Sequence, residues 1–264
     1  MQITSASNEK VKYARRVREG REAGVIFIEG LRLAEEAVSS GLTIEACFYE
    51  VSEKADARAE ALLELLKGKG TSMLPATTEV VHSLGDTVQS QGIILLARRP
   101  QRGSERLRQT GSTLLLGLDR VQDPGNLGTL IRTAEAAGAG GIVSLKGSAD
   151  AFSPKVLRSS MGSAFRLPLL EEASAADLQV LQSAQGFTMV AAAGDGEMDY
   201  TGYDWRQPTL LLLGNEGRGV AAELMQQCDV RLRIPMHAGV ESLNVAAAGA
   251  VMLFEAARQR RISA

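Results

Sequence analysis

The chain has 264 residues, of which 45% are hydrophobic and 23% charged, with a formal net charge of −2 at neutral pH. That balance excludes a globally disordered chain. The absence of any apolar run near the roughly 18 residues of a membrane span argues against a membrane protein. The opening stretch MQITSASNEK lacks the apolar segment of a secretory signal. Cys47 and Cys228 lie far apart without neighbouring ligand residues, which argues against a disulfide framework or a zinc site and for reduced thiols in a cytoplasmic protein.

In chain order, residues 8–20 read as a helix, 25–29 as a strand, 30–40 as a helix ending at Gly41, 44–50 as a strand, 53–68 as an Ala/Leu helix and 92–97 as a strand. Residues 1–97 are thus expected to form a small α/β unit. Residues 98–112 follow as a basic linker with Pro100, Gly103 and Gly111 and almost no apolar side chains. From residue 113 to 264 the pattern becomes strands alternating with helices. The strands are expected at 113–118, 140–145, 187–193, 208–214 and 230–235. Helices are expected at 126–137, 154–161, 174–184, 219–226 and 242–259. These strand runs are continuously apolar rather than alternating, the pattern of strands covered on both faces of a parallel sheet.

Charge is distributed unevenly. Residues 1–22 hold six basic against three acidic side chains, and residues 97–112 hold five against one. Two readings stand for each patch: a phosphate-attracting surface, or a solvated helix face and a soluble linker.

Three loops at the C-terminal ends of the predicted strands carry the polar chemistry, where open α/β sheets place ligands. The first, LDRVQDPGNLGTLIRTAEAAG (118–138), offers Asn126 as a helix N-cap and Arg132 six residues later. The second, LLLGNEGRGV (211–220), holds Glu216 among glycines. The third, IPMHAGVESLNVAAAG (234–249), brings Ser242 and Asn244 to the start of the last helix. Familiar glycine motifs do not fit the second loop. A dinucleotide fingerprint needs G-x-G-x-x-G and a P-loop needs G-K-[ST], whereas this loop reads G-x-x-G-x-G. An NAD-dependent oxidoreductase is therefore disfavoured. Neither His82 nor His237 follows a nucleophile elbow, and Asp119, Asp123 and Glu216 are scattered, so no metal is expected. Taken singly, Asn126 and Ser242 could be helix caps and Arg132 the partner of a surface carboxylate. Together they form one polar constellation with Glu216 and Asn244.

The stretches NLGTLIRTA (126–134), LLGNEGRGV (212–220) and IPMHAGVESLNVAAAGAVMLFEA (234–256) resemble, in order and spacing, the three motifs of the SpoU family, RNA 2′-O-ribose methyltransferases of the SPOUT superfamily. The first unit, with FIEGLRLAEEAVSSG (27–41) and SQGIILLA (90–97), is similar to the L30e-like substrate-binding domain found at the N-terminus of such proteins. The resemblance implies a knotted (trefoil) parallel-sheet catalytic domain, S-adenosyl-L-methionine as methyl donor, and a homodimer formed through the knot region and the last helix. It implies that Gly214, Asn215, Gly217, Ile234, Met236 and Leu243 hold the cofactor, with Gly214 bare so that the cofactor can approach its backbone. Asn126, Arg132, Glu216, Ser242 and Asn244 would form the catalytic set, with Glu216 and Asn126 fixing the Arg132 guanidinium and the ribose. An ordinary arginine has a pKa above about 12, so Arg132 is expected to position ribose or phosphate and stabilise negative charge rather than act as a base. Lys10, Lys12, Arg15, Arg32, Arg98 and Arg99 are the expected RNA contacts. Ribosomal RNA is expected ahead of transfer RNA. A non-catalytic RNA-binding or assembly factor of the same fold is the remaining alternative.

Overall fold

A computed structural model describes residues 2–51, 56–85, 92–100, 104–109, 111–237 and 239–262. Two compact units emerge: Met1–Gln101 with Phe152–Phe165, and Arg102–Ala151 with Arg166–Ala264.

The first unit runs α1 (Glu9–Arg18), β1 (Val25–Glu29), α2 (Leu31–Ser39), β2 (Ile44–Glu50), α3 (Ala57–Gly68), β3 (Ser72–Ala76), α4 (Thr78–Leu84) and β4 (Ile93–Arg98). Its sheet has the order β1-β4-β2-β3, with only the β2–β3 pair parallel. The Asn8 side chain caps α1 by accepting from the Lys10 N–H. Val11, Ala14 and Val17 then recur at helical spacing and pack with Val81 and Leu84 of α4 on Phe27, Phe48, Ile94 and Leu96 of the sheet. Two of these elements were not expected. β3 contains Pro75, a weak strand signal, and α4 is only seven residues long. The expected helix start at residue 53 falls outside the described residues.

The second unit begins with α5 (Ser104–Gln109), inside what reads as a linker; its Leu107 is buried, so this basic stretch is anchored. Then come β5 (Leu114–Leu118), α6 (Pro124–Ala136) and β6 (Ile142–Leu145). Next along the chain are α7 (Pro154–Ser160), which clusters with the first unit, and α8 (Ser163–Arg166). The second unit resumes with β7 (Leu169–Ala173), α9 (Ala175–Gln185), β8 (Thr188–Ala192), β9 (Met198–Asp199), β10 (Thr209–Leu213), α10 (Ala222–Met225), β11 (Val230–Arg233) and α11 (Val245–Ile262). The sheet is parallel throughout, in the order β7-β6-β5-β10-β8-β11-β9. β5 and β10 are buried at every position, as the continuous apolar runs require. α9 and α10 cover one face through Leu178, Leu181 and Leu224. α6 and α11 pack together, and a Cβ on Gly249 of α11 would lie 2.4 Å from Leu130 Cδ2 and 2.7 Å from Leu213 Cδ1. Glycine at 249 thus sets how closely α11 approaches α6 and β10.

The far end of α11 is held by the segment before β10. Trp205 is fully buried, and its indole N–H donates to the Tyr200 carbonyl at 2.8 Å. Its ring meets Tyr203 edge-on, with centroids 5.0 Å apart. Gln259 of α11 accepts from the Trp205 N–H and donates to the Tyr203 carbonyl. Trp205→Ala should therefore cost about 3–5 kcal/mol, the usual range for deleting a buried aromatic. Urea unfolding followed by circular dichroism measures this, because the substitution removes the only tryptophan.

Candidate active site

The parallel order places the C-terminal ends of β10, β8 and β11 side by side, and a cavity of about 720 Å³ opens there. Gly214, Asn215, Glu216 and Gly217 line it from the loop after β10. Ile234, Met236, Ser242 and Leu243 line it from the chain between β11 and α11. Sequence reasoning missed the third wall, Ala192–Gly194 at the end of β8, and the underside provided by Val245, Ala248 and Met252 of α11. The apolar run 187–193 followed by Gly194 is the available signal, but its C-terminal end carries no polar side chain to mark a site.

The loop after β10 folds back on itself. Asn215 and Gly219 exchange two backbone hydrogen bonds, 3.0 and 2.8 Å long, around a turn that ends with Gly219 at φ 66°. The Asn215 side chain accepts from the Gly217 N–H at 3.0 Å and donates to the Arg120 carbonyl at 3.1 Å. A Cβ on Gly214 would lie 2.0 Å from the Gly219 carbonyl carbon and 2.1 Å from the Val220 nitrogen. The need for glycine at 214 thus comes first from the protein's own backbone crossing it.

Asp119 ties this loop to β5. The carboxylate is buried and accepts from the Ala221 N–H at 2.7 Å, while the Arg120 guanidinium grips it at 3.0 and 3.1 Å. Arg120 takes a left-handed backbone, φ 54°, and its carbonyl receives the Asn215 amide. The hydrogen bond to Asp119 pushes the Arg120 pKa up.

α6 starts two residues earlier than expected. Asp123, not Asn126, is the N-cap, accepting from the Asn126 N–H at 2.8 Å, with Pro124 at the first helical position. Asn126 is thereby freed to project from the first turn. Its Nδ2 donates to Glu216 Oε1 at 2.9 Å, and its Oδ1 accepts from Asn244 Nδ2 at 3.0 Å. Asn244 in turn caps α11, its Oδ1 accepting from the Ala246 and Ala247 N–H groups. The last helix accordingly begins at Val245 and not at 242. Three residues from three loops, 90 and 118 positions apart, form one hydrogen-bonded chain.

Two expected members stand outside that chain. Ser242 lines the cavity, but its hydroxyl has no hydrogen bond among the described residues. Arg132 is exposed on α6 and pairs with neither Asn126 nor Glu216; it has no ion pair among the described residues. Six residues along a helix turn the side chain about 120° away from Asn126.

The basic residues of the first unit separate into engaged and free. Lys12 pairs with Glu9 at 2.8 Å and Arg98 with Glu45 at 2.9 Å. Arg15 donates to Ser83 Oγ, and Arg99 lies 4.8 Å over the Phe152 ring. Lys10 and Arg32 are exposed with no partner among the described residues. Burial pushes the thiol of Cys47 up to about 12 and that of Cys228 up to about 11, so neither is a ready nucleophile at neutral pH. Among the described residues no cluster of His, Cys, Asp and Glu is arranged to hold a metal ion, and no helix is long and apolar enough to cross a membrane.

Comparison with known proteins adds three findings. Residues 113–254 match the SpoU rRNA Methylase family, and residues 8–95 match the MRM3-like substrate binding domain. The Bacillus subtilis 23S rRNA (guanosine(2553)-2′-O)-methyltransferase RlmP is 34% identical over 256 residues, covering 96% of this chain and 98% of the relative. Among solved structures, the SpoU methyltransferase AviRb from Streptomyces viridochromogenes in complex with AdoMet superposes with a TM-score of 0.89 at 29% identity, covering 97% of this chain and 99% of that one. The AdoMet-bound rRNA methyltransferase from Sinorhizobium meliloti superposes with a TM-score of 0.87 at 33% identity, covering 98% and 97%.

Proposed function

The chain belongs to the SpoU rRNA methylase family, and on that premise we propose that it methylates the 2′-hydroxyl of a ribose in ribosomal RNA, with S-adenosylmethionine as the donor. The observation that carries this reading is the cavity at the ends of β10, β8 and β11 with the Asn126–Glu216–Asn244 chain at its edge. The donor supplies a methyl group on a cationic sulfonium.

The residues present fit that cofactor. A cavity of about 720 Å³ lies within the roughly 300–1,000 Å³ of small-molecule sites. Main-chain groups at Gly214, Gly217, Ile234 and Leu243 are available for polar contacts, and Met236 and Met252 for dispersion contacts with an adenine ring. Asn215 holds the loop in shape. Asn126, Glu216 and Asn244 face the ribose, Ser242 adds a hydroxyl from the cavity wall, and Arg132 supplies positive charge for ribose or phosphate.

The first unit is assigned to RNA, with Lys10 and Arg32, which have no partner among the described residues, available for phosphate. Lys12, Arg15, Arg98 and Arg99 would need to share or exchange their present partners. The proposal includes a trefoil passage in the C-terminal chain, a cytoplasmic location and a homodimer. Behind the dimer stands an apolar residue on the outer face of α11, Phe254, which is 47% exposed.

The test is a map of 2′-O-methylation in 23S ribosomal RNA from cells with and without the protein, joined to calorimetry of S-adenosylmethionine with the purified chain. Loss of one methylated ribose together with saturable cofactor binding is the expected result. An unchanged map with no cofactor binding would leave a non-catalytic RNA-binding protein. Loss of a transfer RNA methyl instead would move the substrate.

A further inference from the structure

We infer that Glu29 and Arg158 are positioning residues for methyl transfer: their ion pair anchors, in the first unit, a strap whose other end holds the loop after β5. The inference rests on the methyltransferase reading above, and neither residue lines the cavity.

The strap is the connection that leaves β6. At its start the Ser148 Oγ donates to the Leu118 carbonyl at 3.2 Å, and the Ala149 N–H donates to the Val121 carbonyl at 2.9 Å. A Cβ on Gly147, whose φ is 89°, would lie 3.2 Å from Arg120 Cγ, so the turn also lies close against that side chain. The loop held in this way is the one whose Asp119 accepts from the Ala221 N–H and whose Arg120 carbonyl takes the Asn215 amide. Asn215 lines the cavity.

Three residues after Ala149 the chain belongs to the first unit. Phe152 is buried, with the Arg99 guanidinium 4.8 Å over its ring, and the Arg99 N–H donates to the Gly24 carbonyl just before β1. α7 packs on β1, with Val156, Leu157 and Ser160 fully buried. Glu29, the last residue of β1, is buried, and its Oε2 lies 3.5 Å from Arg158 Nη1. A buried carboxylate needs a paired cation, and the strap supplies one. A Cβ on Gly85 would lie 2.5 Å from Glu29 Oε1, so the carboxylate has little room to turn away.

Replacing a buried ion pair by apolar groups is often neutral for stability. Val156 and Leu157 therefore carry the adhesion of α7, and the ion pair sets where along β1 it rests. Three residues of chain span at most about 11 Å. Slack released at Arg158 thus has a short path to the loop that shapes the cavity wall through Asn215.

Glu29→Gln, Arg158→Met and the double variant test this in the full chain. The double variant leaves no buried charge without its partner, so it should fold even where a single variant does not. A 23S RNA fragment carrying the mapped nucleotide is methylated in a single turnover, with RNA and cofactor both saturating. The rate should fall about 10- to 100-fold in the double variant, the scale of an ångström-sized misplacement. Each single variant that folds should lose about as much as the double, because the two residues act as a pair. Arg158→Lys keeps the charge and should stay close to wild type. Hydrogen exchange separates positioning from local stability. In the double variant the amides of residues 118–121 and of Ala149, all in the second unit, should exchange faster than in wild type. Faster exchange confined to β1 and α7 would overturn the assignment, as would a double variant that methylates within about threefold of wild type. A wild-type protein that neither binds S-adenosylmethionine nor methylates would instead overturn the methyltransferase reading, and the assignment with it.

Discussion

Gly214→Ala should abolish S-adenosylmethionine binding and also destabilise the second unit. The added Cβ would sit 2.0–2.3 Å from three backbone atoms of Gly219 and Val220. Real contacts of that kind do not occur, so one strand of the crossing must move by more than an ångström. Overpacking a tight site commonly costs about 1–3 kcal/mol, and backbone yields less readily than a side chain, so the upper end or more is expected. The displaced segment is the turn that carries Asn215, Glu216 and Gly217 along the cavity wall. Cofactor affinity should therefore fall at least about 100-fold by calorimetry, with the melting temperature lowered in the same sample. Gly217→Ala is the contrast. Its nearest neighbour would be Asn215 Oδ1 at 3.7 Å, and its φ is not in the left-handed region. Its melting temperature should stay close to wild type. Two variants with equal melting temperatures would mean that the crossing at Gly214 is looser than the geometry says.

The same residue shows where sequence reasoning stopped. A glycine after an apolar strand reads as room for a ligand, and the cavity does lie beside Gly214. The tighter demand is a crossing by residues five and six positions later, which no local periodicity encodes. Asn126, Glu216 and Asn244 were legible as a group because each sits in a polar loop ending a buried strand run. Their order in the hydrogen-bonded chain was not legible, because it depends on which residue caps each helix. The Asp123-Pro124 pair was a readable start signal for α6, and Asn126 drew the assignment only because asparagine is also a good cap. β7 escaped notice because it carries Glu171 and Glu172, the latter in a left-handed backbone where the pairing to β6 shifts register. α5 escaped because a single buried leucine anchors it among charges. The clustering of Phe152–Phe165 with the first unit is a long-range event with no local signature at all. The basic stretch 1–22 read as one positive patch, but Arg16 pairs with Glu22 and Arg18 donates to the Leu84 carbonyl, so much of its charge serves the packing of α1.

Arg132→Ala should lower the methylation rate about 100- to 1,000-fold, the usual loss when one donor to developing negative charge is removed. The substitution should leave the fold and the cofactor site intact. Arg132 is exposed, makes no ion pair among the described residues and does not line the cavity, so no buried partner is orphaned by its removal. An exposed helical position replaced by alanine changes stability by only about 0.5 kcal/mol or less. The effect should therefore appear in the chemical step or in RNA affinity, and calorimetry with S-adenosylmethionine should be unchanged. Arg132→Lys should recover little, because an ammonium cannot reproduce the planar fork that grips two oxygens at once. Single-turnover methylation at saturating cofactor isolates the step, and a titration of RNA concentration separates binding from rate. If Arg132→Ala methylates at close to the wild-type rate, the arginine is a solvated helix residue, and the positive charge beside the ribose must come from elsewhere, with Arg233 on the cavity wall the first candidate.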